Sequence, residues 1–284
     1  MLAALAGAEA PPLPQPATGR IERLALTSRY VEPRPVDVWL PPLYDGSKPH
    51  AVLYVNDGQF LFGALPNWGV DAIAAPLIAS GALRNFIVVA PWNNGRLRLA
   101  EFYPRAVLEQ LYPMDIRNGL VQEMGGLSLS DPYLRFIVDE LKPAIDARYA
   151  TLPARESCFI MGASLGALQS LYALCEYPRV FGGAACLSTH LIGTYQGNEN
   201  FVRAVLAYLR INLPEAARVR LYMDHGDQGL DGNYAQAQAK LDTLLASLGF
   251  KPPGFVSRVF PGAGHDGPSW RARLDQPLRF LLGA

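Results

Sequence analysis

The chain has 284 residues, half of them hydrophobic, and its 25 Lys and Arg balance 25 Asp and Glu. That length can bury a substantial core in one or two domains, and the composition excludes a disordered chain. Without a basic excess a nucleic-acid footprint is not expected, and no apolar run reaches the length of a transmembrane span.

Residues 1–10 resemble the tail of a secretory signal, with a small-x-small ending but no basic n-region and only a short apolar run. Residues 11–16 are proline-rich and stiff. Residues 1–19 therefore read as an Ala/Pro-rich arm, either a signal-peptide remnant or a disordered lead. The balance favours a periplasmic or secreted protein over a cytoplasmic one. Residues 20–284 read as a single domain, with no internal repeat and no convincing linker.

Residues 20–28 alternate as a strand does, and 34–41 form a second short strand ended by Pro41-Pro42. Together they suggest an antiparallel edge hairpin. The apolar run 50–55 is a strand that ends at the turn Asn56-Asp57-Gly58-Gln59. A helical pattern covers 68–78, and 85–91 is a buried strand. Residues 93–126 are rich in Arg, Tyr, Gly and Met and show little periodicity, which predicts a long loop of the kind that covers active sites. A helix is expected over 131–149, with Asp131 as N-cap and Pro132 in its first position. Strands follow at 158–162, 181–187, 218–223 and 255–260. Helices follow at 198–211, 233–248 and 269–282. Alternating strands and helices imply an α/β protein with a mostly parallel sheet and helices on both faces.

One stretch organises the rest. The strand at 158–162 runs into Gly162-Ala163-Ser164-Leu165-Gly166, and a good helix-forming sequence follows. The motif alone is weak. Between a strand and a helix it predicts a nucleophile elbow, a turn too tight for side chains at the flanking positions. A helix N-terminus behind the serine would direct partial positive charge at a developing oxyanion.

A serine hydroxyl needs a base, and the base needs an orienting acid. Where this elbow operates, the chain order is Ser, then Asp or Glu, then His. Of the four histidines (His50, His190, His225 and His265), three follow Ser164. His265 sits in the glycine-rich stretch Pro261-Gly-Ala-Gly-His-Asp-Gly267, just after the last strand, where a base can reach the elbow. For the acid, Asp224, Asp227 and Asp231 all follow the penultimate strand. Asp231 is the first choice and Asp227 the second. The oxyanion hole should combine the N–H of Leu165 with one from the turn after the third strand, with Gln59 as the second donor.

Further residues are candidates for contact with substrate. Asp57, Ser188 and His190 should lie at strand ends near the elbow, where they either line a pocket or satisfy local backbone groups. Trp68, Trp92, Arg96, Arg98 and Tyr103 are candidates as well, although aromatic residues at such spacings are more often core. Trp270 reads as packing that fixes the His265 loop. Cys158, Cys175 and Cys186 lie in apolar contexts and read as buried free thiols. The histidines show no i, i+4 pair, so neither a metal nor a cofactor is expected.

These residues also resemble a family, the esterase D-like branch of the α/β-hydrolases. Its members include feruloyl and acetyl-xylan-type carbohydrate esterases, enterochelin esterases, S-formylglutathione hydrolases and mycolyltransferases. The resemblance runs through Val36-Asp-Val-Trp-Leu-Pro41, Val52-Leu-Tyr-Val-Asn-Asp-Gly-Gln-Phe-Leu-Phe62, Ile87-Val-Val-Ala-Pro-Trp-Asn93, Phe136-Ile-Val-Asp-Glu-Leu-Lys-Pro143, Met161-Gly-Ala-Ser-Leu-Gly166 and Gly262-Ala-Gly-His265. It implies the α/β-hydrolase fold, Ser164 as nucleophile, His265 as base, an Asp after the seventh strand as acid, and a backbone donor in the Asp57-Gly58-Gln59 turn. Many members carry Met-Gly-Gly after the serine, where this chain has Leu165-Gly166-Ala167. The expected activity is hydrolysis of small carboxylic esters, carbohydrate-linked ones among them. The alternatives are an acyltransferase of the same fold or a non-catalytic binding relative.

Overall fold

The apolar runs become strands of one sheet in the computed structural model, which describes residues 11–284. The strands are β1 (Arg20–Leu24), β2 (Val36–Leu40), β3 (Ala51–Val55), β4 (Phe86–Pro91), β5 (Cys158–Ala163), β6 (Gly183–Leu187), β7 (Arg220–Gly226) and β8 (Phe255–Phe260). Their order across the sheet is β1-β2-β4-β3-β5-β6-β7-β8. The β1–β2 and β2–β4 pairs are antiparallel, and every other pair is parallel. The mostly parallel sheet with an antiparallel N-terminal hairpin is the arrangement expected from the sequence. The signal-like stretch 1–10 lies outside the described residues.

Strands covered on both faces need no polar alternation, and β2 to β6 are buried throughout. Within β3, Val52 and Tyr54 face one core while Leu53 and Val55 face the other. The first core takes α2 (Arg98–Phe102), α3 (Arg105–Glu109), α4 (Met114–Glu123), α5 (Ser130–Arg135), α6 (Lys142–Arg148), α7 (Leu165–Glu176), α8 (Glu199–Asn212) and α9 (Ala235–Ser247). The second takes α1 (Val70–Ala79) and α11 (Asp275–Leu282), with α10 (Gly267–Arg273) at its rim. Helix α7 lies against β5 and β6, and nearly all of it is buried. Among the described residues no helix is long and apolar enough to cross a membrane. The three cysteines are buried free thiols, and burial pushes the Cys158 thiol up to about 12.

Three local expectations are corrected. Residues 93–126 are not a structureless loop but carry a 3₁₀ turn at Gly95–Leu97 and helices α2, α3 and α4. Each buries only one or two apolar residues, such as Phe102, Leu108 and Leu120, too few to build a periodic signal. Asp131 does not cap its helix, which starts at Ser130. Its carboxylate instead accepts hydrogen bonds from Arg105 Nε (2.5 Å) and Tyr172 Oη (2.7 Å). That helix continues through a π-helical stretch, Phe136–Leu141, into α6. Finally, the closing helix breaks at Leu274 into α10 and α11. Pro277 has no N–H for the carbonyl of Arg273, and its ring crowds that carbonyl, so a continuous helix is disfavoured there.

A buried ion pair fastens the lead into β2 to α2. The Arg34 guanidinium donates to both Glu101 oxygens at 2.6 and 2.8 Å, and each side chain is at most 2% exposed. Its guanidinium also lies over the rings of Tyr133 and Phe136. Removing one partner strands a buried charge. Arg34→Met is expected to lower unfolding free energy by about 3–5 kcal/mol in urea titrations.

Candidate active site

Ser164 links β5 to α7 with φ 59° and ψ −126°, outside the regions that L-residues favour. A Cβ on Gly162 would come within 2.4 Å of the Gly166 carbonyl, so only glycine fits before the serine. On Gly166 a Cβ would crowd the Asp57 carboxylate at 3.0 Å. The strained turn is held by the Ser164 N–H, which donates to Leu187 O at 3.0 Å, and by Ser164 O, which accepts from His190 N at 3.2 Å. The Leu165 N–H opens α7 and has no intrahelical acceptor.

His265 follows β8 and sits beside Ser164 in a cavity of about 380 Å³ at the carboxyl edge of the sheet. Its Nδ1 lies 2.6 Å from Asp231 Oδ1, which leaves Nε2 for other partners. The ring is met edge-on by Trp270 (centroids 5.1 Å apart) and Tyr234 (5.6 Å). The loops after β7 and β8 are joined directly. A Cβ on Gly226 would fall 2.0 Å from Ala263 O, and that carbonyl accepts from the N–H groups of Asp227 and Gln228, both at 3.0 Å.

Asp231 is fully buried at the start of the turn after β7. Its Oδ2 accepts from Ser188 Oγ and Gly226 N, both at 2.6 Å. Burial alone would raise its pKa. The hydrogen bonds from His265, Ser188 and Gly226 outweigh it and hold the carboxyl below the usual range. The second choice, Asp227, is exposed and turned elsewhere, with its carboxylate accepting from Gly262 N at 2.7 Å and from Gln228 Nε2 at 2.8 Å. Asp224 lies within β7, paired with Arg273, its Oδ1 accepting from Nη2 at 3.1 Å.

The other candidates divide between the cavity and its surroundings. Asp57, Trp68, Arg98, Tyr103, Leu165 and His190 line it. Asp57 is not free, because Arg98 donates to both its oxygens at 2.7 Å and Asn93 Nδ2 adds a third bond at 2.5 Å. Gln59 lies in the 3₁₀ turn Gly58–Phe60, its side chain accepting from Asn93 N at 3.2 Å. Ser188 lies beneath the cavity with its one hydroxyl fully used, donating to Asp231 and accepting from Trp270 Nε1 (3.0 Å) and Arg273 Nη2 (2.8 Å). Trp92 and Arg96 are not brought to the cavity. Trp92 donates to Asp37 under the hairpin, and the exposed Arg96 pairs with Glu32 at 2.5 Å.

Sequence reasoning missed Tyr234. Its hydroxyl lies 2.9 Å from His190 Nδ1, and its ring meets the His265 imidazole edge-on. The only trace in sequence is a tyrosine three residues after Asp231, and nothing there marks it as facing a histidine. Tyr195 and Glu123, which also line the cavity, carried no signal either.

His190 is 5% exposed, and its pKa falls from 6.5 to about 4. Burial is the main cause, and His265 and Arg98 add to it. The folded protein therefore refuses a proton that the unfolded chain accepts below pH 6.5. Stability is fully present above that pH and is lost as pH falls toward 4, by about 3 kcal/mol for this group. Unfolding titrations between pH 7 and 4 should show wild type losing about that much more than His190→Gln.

A mostly parallel eight-stranded sheet with a strained serine turn at its carboxyl edge defines a protein of the α/β-hydrolase fold. The family model described as "Putative esterase" matches residues 27–281, so the chain belongs to that family and is a carboxylic ester hydrolase. It is 24% identical over 253 residues to the Bacillus subtilis (strain 168) protein YbbA, named as uncharacterized, covering 87% of this chain and 91% of that one. It is 23% identical to an endo-1,4-beta-xylanase/feruloyl esterase of Xylanibacter ruminicola over 82% of this chain, spanning only 26% of that larger protein. Among solved structures, a ferulic acid esterase shares the fold at 20% identity and a TM-score of 0.66, covering 94% of this chain and 99% of that one. The enterobactin esterase of Shigella flexneri does so at 19% identity and a TM-score of 0.68, covering 94% and 60%.

Proposed function

We propose that the chain is a serine esterase in which Ser164, His265 and Asp231 act as nucleophile, base and orienting acid. One arrangement supports this reading above all: the strained Ser164 turn shares a cavity with His265, and Asp231 holds the far nitrogen of that imidazole at 2.6 Å. Ser164 Oγ attacks the ester carbonyl while His265 Nε2 takes its proton. The carbonyl oxygen becomes an oxyanion between the N–H groups of Leu165 and Gln59. His265 returns the proton to the leaving alcohol, and the ester C–O bond breaks. Water, deprotonated by His265, then attacks the acyl-enzyme and releases the acid. Asp231 keeps the imidazole in the tautomer that this sequence needs.

The cavity walls suit a flat, largely apolar acyl group, with Phe60, Trp68, Tyr103, Tyr195 and Trp270 among them. Similarity to feruloyl and ferulic acid esterases makes aromatic acyl esters, including carbohydrate-linked ones, the first substrates to try. An ester panel on the purified protein, with a fluorophosphonate label mapped to its residue, tests the reading. Label on Ser164 and turnover of at least one aromatic ester are expected. Turnover with no label on Ser164 would sink the assignment. Formation of a new ester on an added alcohol acceptor, with no acid released in water alone, would make the protein an acyltransferase.

A further inference from the structure

A second cavity, of about 550 Å³, opens at the amino edge of the sheet, where β5 to β8 begin and opposite Ser164. Its walls carry five cationic side chains, Arg84, Arg155, Arg218, Arg220 and Lys251, against one carboxylate, Glu156. The chain as a whole has a formal net charge of zero, so this excess is a local concentration.

We propose that this cavity is an anion site for a phosphate-type oxyanion, either a free ion such as phosphate or sulfate or the phosphate group of a lipid head. The guanidinium groups are fixed but not neutralised. Arg84 donates to Glu156 O at 3.0 Å and to Ser157 Oγ at 3.3 Å, Arg155 donates to Arg218 O at 2.6 Å, and Arg220 donates to Phe280 O at 3.2 Å. All these acceptors are uncharged. Among the described residues only Arg218 of the five has a carboxylate partner, Glu215 at 2.9 Å, and both of those side chains are exposed. The Nε atoms of Arg84 and Arg155 are buried with no hydrogen-bond partner, a rare condition for donors of this strength. Burial and the like charge of Arg220 both lower the Arg84 pKa, and no acid beside it opposes them. Like charges gathered in a concave site leave a positive potential that an anion relieves, and guanidinium forks match tetrahedral oxyanions. Gly249, Pro252, Pro253 and Gly254 also line the cavity and add no charge to it. Ser164 plays no part in this site.

Thermal unfolding in phosphate, sulfate and chloride at matched ionic strength tests the assignment. A saturable Tm rise of about 3 °C or more in phosphate or sulfate, absent in chloride, is expected. Arg155→Gln should abolish the rise. Lys251→Gln, at an exposed position, should weaken the apparent affinity about tenfold without lowering the Tm measured in chloride. Flotation with phosphatidylcholine vesicles, with and without phosphatidic acid, separates the two sources. A phosphate response without flotation assigns a free ion, and flotation that needs phosphatidic acid and is lost in Lys251→Gln assigns a lipid head. A rise of equal size in chloride, an unchanged response in both variants, or no response to either salt and no flotation overturns the site.

Discussion

Ser164→Ala is expected to lower p-nitrophenyl acetate turnover by about 10³-fold or more while leaving Tm near wild type. On the proposed mechanism the variant loses the atom that forms the acyl-enzyme and keeps the backbone that shapes the turn. Alanine tolerates φ 59° no worse than serine does, and the hydrogen bonds holding the turn come from main-chain atoms of residue 164. Fluorophosphonate labelling should disappear with activity. Equal rates in the two proteins would remove Ser164 from the reaction and leave the strained turn without a chemical purpose.

The second large effect concerns the acid. Asp231→Asn should lower kcat by about 10³- to 10⁴-fold with little change in KM. The amide would set a donor against one of three groups that now donate to the carboxylate, His265, Ser188 and Gly226, and would favour the wrong imidazole tautomer. Asp227→Asn should behave almost as wild type, because an exposed amide oxygen can still accept from Gly262 N. Steady-state kinetics on both variants decide between the two aspartates. A large kcat loss in Asp227→Asn with none in Asp231→Asn would reverse the assignment. The same hydrogen bonds keep Asp231 ionised as the medium is acidified. Its contribution to stability is present above the ordinary carboxylate pKa and is lost only as pH falls through the lowered one.

The strand ladder could be read in the chain because strands buried on both faces are unbroken apolar runs, and β3 to β6 are of that kind. The elbow could be read because Gly162 answers to a clash only 2.4 Å from the Gly166 carbonyl, a constraint that leaves no alternative residue there. The helices of 93–126 could not, because each buries a residue or two and owes its form to the surface it covers. Which aspartate meets His265 was also beyond local patterning. Asp224, Asp227 and Asp231 stand close together in sequence, in β7 and the turn after it, and their fates depend on Arg273, Gly262 and His265, each more than thirty positions later in the chain. Trp92 and Arg96 looked like pocket residues from their place after β4. Asp37 and Glu32, far earlier in sequence, hold them away from the cavity instead, Trp92 against β2 and Arg96 at the surface.

The hydroxyl of Ser188 takes hydrogen bonds from Trp270 and Arg273 of α10 while giving its own to Asp231. Helix α10 is thus a brace of Asp231 as well as a cover for the sheet, and it comes after β8 in the chain. A nascent chain halted after β8 would own the serine and every strand of the sheet, yet lack both His265 and the clamp on Asp231. Competence to cleave esters would have to wait until the segment carrying His265 and α10 is made and packed against the sheet.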